Sequence, residues 1–150
     1  MVERFEKFSL AISEISRCWH KIATEEMEKY DLKGIHSIYL TTMLRFPEGI
    51  TAAKLCEYCG RDKAEVSRTA SVMEAKGLIQ KEGSAYRSLL KLTPAGIRAA
   101  EFVRNRAALA VELAGADLTD EQRTVFYNAL GSITQNLQTI SEKGLPQMKE

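Results

Sequence analysis

Two segments at opposite ends of the chain carry apolar residues at alternating steps of three and four. In the first, the seam is Phe5, Phe8, Ile12, Ile15, Trp19 and Ile22. In the second it is Phe126, Leu130, Ile133, Leu137 and Ile140. That spacing places each set along one narrow stripe of an α-helix, the pattern of helices that pack nearly parallel to one another. Each stripe must be covered, and the region between them is small. One solution folds both seams into an ordinary core; the other, which the length of the seams favours, sets them in the interface of a homodimer.

Punctuation along the middle of the chain divides it into short elements. A second helix is expected from about Leu32 to Arg45, with Ile35, Tyr39 and Phe46 on one side, before Pro47 and Gly49 break it. Thr51 is an N-cap for the short helix AAKLCEYC, which Gly60 ends. Asp62 caps the next helix, Glu65 at its third position completes an expected capping box, and Gly77 stops it. Two helices joined by so tight a turn form a helix-turn-helix. Strands from about Leu78 to Lys81 and from Ser88 to Leu92 follow, joined by EGSAYR, whose Gly83 and Ser84 suit a hairpin turn. Thr93 caps a further helix with Pro94 in its first position, running to about Ala114, and Thr119 with Gln122 caps the last. The predicted fold class is mostly α with a small β-hairpin wing: a winged helix-turn-helix with N- and C-terminal dimerisation helices. It is read as a single domain over residues 1–150, with about 32–93 as the winged helix-turn-helix and about 1–30 and 94–142 as the flanking dimerisation helices.

The helix DKAEVSRTASVMEAKG buries only a thin stripe, Val66, Ala70 and Met73, and holds Lys63, Ser67, Arg68 and Ser71 outward. A helix whose leading turns are polar and outward is suited to the major groove, where its N-terminal residues reach base edges. Arginine can pair with guanine through two hydrogen bonds and serine can serve several bases. A wing arginine can enter a narrow minor groove. The expected DNA-contacting residues are therefore Thr51, Lys63, Ser67, Arg68, Ser71 and Arg87. The whole chain has a formal charge of only +1, but residues 51–93 carry eight Lys or Arg against five acids, which leaves −2 for the rest. That distribution accords with an anionic partner such as double-stranded DNA.

The run from Ile50 to Gly96 resembles the MarR (multiple antibiotic resistance regulator) family of bacterial transcription regulators. The matching features are the short helix with Leu55, then DKAEVSR, then the EAKGLI turn into the first wing strand, then LTPAG. The resemblance implies a homodimer built by the terminal helices and repression of nearby promoters relieved by a small ligand or an oxidant; such a dimer holds its two recognition helices about 34 Å apart, so its operator should be a pseudo-palindrome. It also implies a cleft for a small aromatic effector, for which His36, Tyr39 and Trp19 are candidates; for His36 the expected role is a solvated or hydrogen-bonded surface histidine, with the cleft as the alternative. The wing departs from the family's Asp-x-Arg pair, because Ser84 and Tyr86 hold those places and Arg87 comes next. Arg61 stands where the family usually has an apolar residue.

The cysteines invite other chemistry. Some relatives in the family sense peroxide with a cysteine on the first helix, which makes Cys18 a candidate with Tyr30 and Tyr39 as helpers, although inert packing is its expected role. Cys56 and Cys59 form a Cys-x-x-Cys pair, but at the C-terminal end of a helix, where the dipole disfavours a thiolate. Core packing is the expected role of that pair, with a regulatory disulfide as the alternative. Zinc needs about four ligands, and no second closely spaced Cys or His pair is present, so neither metal nor cofactor is expected. No Ser-His-acid set or phosphate loop is found, so an enzyme is not expected. The rival readings are a thiol-based redox-sensing regulator and an interaction module that has lost DNA binding. No stretch approaches the roughly 18 apolar residues of a membrane span, and the N-terminus lacks a signal-peptide pattern, so a cytoplasmic protein is expected.

Overall fold

The computed structural model describes residues 2–83 and 88–145. These form two compact units, one built from the chain up to Leu109 and the other from Ala110 onward. Among the described residues the elements are α1 (Val2–Glu28), α2 (His36–Met43), β1 (Ile50–Thr51), α3 (Ala52–Cys59), α4 (Lys63–Ala75), β2 (Ile79–Glu82), β3 (Leu89–Leu92), α5 (Pro94–Ala114) and α6 (Asp120–Lys143). The fold is thus mostly helical with a small antiparallel sheet, as the sequence indicates.

The first unit owes its compactness to a core into which α1 to α5 and all three strands dip. Met27, Tyr39, Leu40, Met43, Ile50, Leu55, Val66, Met73, Ile79 and Ala99 are all essentially removed from solvent. The wing sheet has strand order β1-β3-β2. Ile79 faces Leu92 and Glu82 faces Leu89 in the hairpin, while Ile50 pairs with Leu90 across the other edge. The hairpin was expected; β1 was not, because two residues are too few to show a period of two.

The second helix is shorter than the expected Leu32 to Arg45. Asp31 takes a left-handed φ of 52°, and Leu32 N–H bonds back to the Met27 carbonyl at 3.1 Å, so the chain turns where the apolar spacing suggests helix. Gly34 is buried against Thr24, whose backbone nitrogen lies 2.8 Å from where a Cβ would stand. At the other end Arg45 and Phe46 donate to carbonyls three residues back, Thr42 and Met43, which tightens the last turn and ends the α-helix.

In the second unit, Thr119 and Gln122 form the full reciprocal capping box expected at the start of α6. Arg123 fastens the connection before it, donating to Glu112 Oε1 at 2.9 Å, to the Gly115 carbonyl at 2.9 Å and to the Leu118 carbonyl at 3.3 Å. No residue of α6 is buried. Phe126, Ile133, Leu137 and Ile140 lie exposed along it, and Leu130 is half-buried. The same holds for the seam of α1 in the first unit, where Phe5, Phe8, Ile12, Ile15, Trp19 and Ile22 are all exposed. Among the described residues, no side chain of either seam is fully buried.

Candidate nucleic-acid interface

Local hydrogen bonding builds the helix-turn-helix as the caps suggest. Thr51 Oγ1 accepts from Lys54 N–H at 3.3 Å, which leaves the hydroxyl proton free to donate outward. Gly60 adopts the left-handed conformation, φ 61° and ψ 39°, that ends α3. Asp62 Oδ1 accepts from Glu65 N–H at 2.8 Å and opens α4. The expected capping box is not closed, because the Glu65 carboxylate turns the other way. It accepts from the Tyr39 hydroxyl at 3.3 Å and lies 3.7 Å from Arg61 Nε.

Along α4 the inward residues are Val66, Thr69, Ala70 and Met73, and Lys63, Ser67, Arg68 and Ser71 are exposed. The four polar residues therefore share the solvent side of a helix whose N-terminus carries the positive end of the macrodipole. Ion pairing sharpens the charge picture. Lys76 pairs with Asp31, Lys81 with Glu74 at 2.6 Å, Lys91 with Glu82 at 3.8 Å and Arg61 with Glu65. Among the described residues of 51–93, the cations without an ion-pair partner are Lys54, Lys63 and Arg68, all on the helix-turn-helix. Lys54 was passed over in the sequence because nothing but its exposure on α3 marks it. Ser84, Tyr86 and Arg87 lie outside the described residues.

Beside α4 opens a cleft of about 550 Å³, lined among others by Leu32, Lys33, His36, Glu65, Arg68 and Val72. Arg68 thus borders both the solvent face of α4 and the cleft. His36 is 7% exposed, so of the solvated or hydrogen-bonded surface histidine that was expected only the hydrogen bond is present. Its Nδ1 accepts from Lys33 N–H at 3.3 Å. Burial, and then the charge of Lys33, hold it below the ordinary histidine value, with Glu65 pulling the other way. The structure does not bring the three aromatic candidates together. His36 lines the cleft, Tyr39 is 1% exposed within the core with its hydroxyl on Glu65, and Trp19 lies on the exposed seam of α1.

The depressed His36 value carries a pH dependence. The unfolded chain takes up the proton first, near the ordinary value of about 6.5, so the stabilisation is complete above that pH and is lost as pH falls toward the folded-state value. The melting temperature of the wild type is expected to fall more steeply between about pH 7 and about pH 5 than that of His36→Asn, whose amide oxygen can take the place of Nδ1. Parallel melting curves for the two proteins across that range rule this out.

The thiols sit in different environments. Cys59 is buried, donates to Thr42 Oγ1 at 3.8 Å, and is pushed up by burial, which disfavours the thiolate. Cys56 packs against the core from a half-buried position, and Cys18 is exposed on α1 beside Glu14 and Arg17. All three are free thiols. No helix among the described residues is long and apolar enough to cross a membrane.

A three-stranded wing beside two capped helices, the second with its polar side outward, defines a winged helix-turn-helix. The MarR family model matches residues 30–86, in agreement with the resemblance carried by DKAEVSR and EAKGLI. Solved structures share the fold over most of the chain. A MarR family transcriptional regulator from Listeria monocytogenes, in complex with a 26mer DNA, is 22% identical and superposes with a TM-score of 0.78, covering 93% of this chain and 96% of that one. A MarR transcriptional regulator from Methanosarcina mazei is 23% identical with a TM-score of 0.79, covering 90% and 92%. A MarR protein from Peptoclostridium difficile is 19% identical with a TM-score of 0.81, covering 91% and 90%. At these identities the likeness establishes the fold. No curated protein matches the chain.

Proposed function

We propose that this chain is a sequence-specific, DNA-binding transcription regulator that acts as a homodimer on a pseudo-palindromic operator. The observation that carries the reading is α4: a capped helix that turns Lys63, Ser67, Arg68 and Ser71 to solvent and leaves Lys63 and Arg68 without acidic partners among the described residues. The Listeria monocytogenes protein of the same fold was solved on DNA, which supports the same use of the helix here. Lys63, Ser67, Arg68 and Ser71 read bases, Thr51 and Lys54 meet phosphates at the edge of the groove, and Arg87 supplies the wing contact.

A second copy of the chain covers the exposed seams of α1 and α6, consistent with residues 1–30 and 94–142 serving dimerisation and residues 32–93 serving DNA. Dimers of this kind place their reading helices one turn of DNA apart, about 34 Å, and so select half-sites of matching spacing. The His36 cleft, with Arg68 on its rim, is the place for a small aromatic effector that releases repression. No catalytic step or cofactor is assigned, and the protein works in the cytoplasm.

The test combines mass and salt. Light scattering at micromolar concentration should give twice the chain mass of 16.8 kDa. Affinity for the DNA upstream of the protein's own gene should fall linearly in log-log form as salt rises, and exceed that for scrambled DNA by at least about 10³-fold. A monomeric mass from a folded sample overturns the dimer. Equal affinity for upstream and scrambled DNA overturns sequence reading.

A further inference from the structure

We infer that Tyr39 is a positioning residue whose buried hydroxyl fixes the rotation of α4 about its own axis and so aims the reading face; the inference rests on the DNA-reading role proposed for that helix. The apolar stripe of α4 is thin. Of its buried residues only Val66 and Met73 have sizeable apolar side chains, while Ala70 and Thr69 are small. Two such side chains hold a helix against a core but resist a small roll poorly, since neighbouring positions on the helix surface offer similar packing. Directional polar contacts resist it better.

Tyr39 supplies them. Its ring is 1% exposed on α2, and its hydroxyl donates to Glu65 Oε1 at 3.3 Å, with Thr69 as its other polar neighbour on α4. Glu65 and Thr69 are four residues apart and share one side of the helix. Lys63, Ser67, Arg68 and Ser71 lie on the solvent side. The phenol therefore ties α4 to α2 through Glu65, from behind the reading face. Burial first, and then Glu65, push the phenol up to about 12, so it remains a proton donor at any working pH. Arg61, which precedes the helix, lies 3.7 Å from the same carboxylate and extends the grip to the turn before α4.

The test uses Tyr39→Phe, which removes the hydroxyl and keeps the ring, and it has two independent arms. In the free protein, amide hydrogen exchange along Val66 to Met73 should rise about tenfold while that of α6 is unchanged, the opening expected when one hydrogen bond is lost. On DNA, the ratio of cognate to scrambled affinity should fall at least about fivefold with scrambled affinity within about twofold of wild type. Glu65→Gln keeps an acceptor for the phenol and should retain the wild-type ratio, whereas Glu65→Ala should reproduce Tyr39→Phe. Unchanged exchange in α4, equal weakening on both DNAs, or failure of Glu65→Gln to retain the ratio overturns the assignment. If the wild type itself shows no sequence preference, the DNA-reading proposal falls, while the exchange arm still decides whether Tyr39 holds the helix.

Discussion

Gly96→Ala is expected to destabilise the first unit by about 3 kcal/mol or more, a large share of the about 5–15 kcal/mol that holds a domain folded. Gly96 sits in the first turn of α5, buried, at a place where helix and wing meet backbone to backbone. A Cβ there would stand 1.8 Å from the Leu78 carbonyl oxygen and 2.9 Å from its carbon. That oxygen cannot swing aside, since it accepts from Thr93 N–H at 3.0 Å, and Thr93 Oγ1 in turn donates to the Gly77 carbonyl at 2.6 Å and accepts from Gly96 N–H at 3.1 Å. The start of β2, the end of β3 and the cap of α5 are thus one hydrogen-bonded joint with no room for a methyl group. The cost here is steric and not conformational, because a glycine in a helix otherwise gains about 0.5–1 kcal/mol on becoming alanine. Ile97→Ala, at the neighbouring exposed position, should cost less than about 1 kcal/mol. Thermal or urea unfolding of the two variants decides it: a Gly96→Ala protein within about 1 kcal/mol of wild type shows that the joint can open.

The same joint shows which parts of the structure were legible in the residues. LTPAG announces the cap and the first turn of α5, since Thr93 and Pro94 have local reasons to be there; that Gly96 must be glycine is set by Leu78, on another element, and no local pattern shows it. The caps at Thr51, Asp62 and Thr119 were readable because each satisfies backbone N–H groups within three residues. The seams of α1 and α6 were readable because their spacing repeats over many turns of helix. The start of α2 was misplaced because Leu32, Ile35 and Tyr39 keep a helical period across a turn that Asp31 and Gly34 impose through tertiary packing. Glu65 was assigned to a capping box on local spacing and instead serves Tyr39, 26 residues away. Tyr39 and His36 were both candidates for the cleft, yet only His36 lines it. The outward residues of α4 emerged correctly because a stripe as thin as Val66, Ala70 and Met73 leaves the rest of a capped helix to solvent.

Arg68→Ala is expected to cost roughly 1–3 kcal/mol in each half-site, and so about 2–6 kcal/mol for a dimer on its operator, with relaxed preference at one base pair per half-site. Arg68 stands in the second turn of α4, exposed, and is in no ion pair among the described residues, so its guanidinium need not be stripped from an acid before it meets a base. The fork of donors can then span the two acceptors of a guanine, and truncation to alanine leaves those acceptors facing a gap. A contact to phosphate would behave differently. Arg87→Ala, at the position the sequence reading assigns to a wing contact, should weaken all sequences by similar factors and flatten the slope of log affinity against log salt by about one per subunit. The measurement is anisotropy titration of both variants on cognate and scrambled duplexes at several salt concentrations. Arg68→Ala should leave scrambled binding within a few-fold of wild type while cognate binding collapses toward it. Equal loss on the two duplexes, with the slope flattened as for Arg87→Ala, places Arg68 on the backbone and moves the reading of bases to Lys63, Ser67 and Ser71.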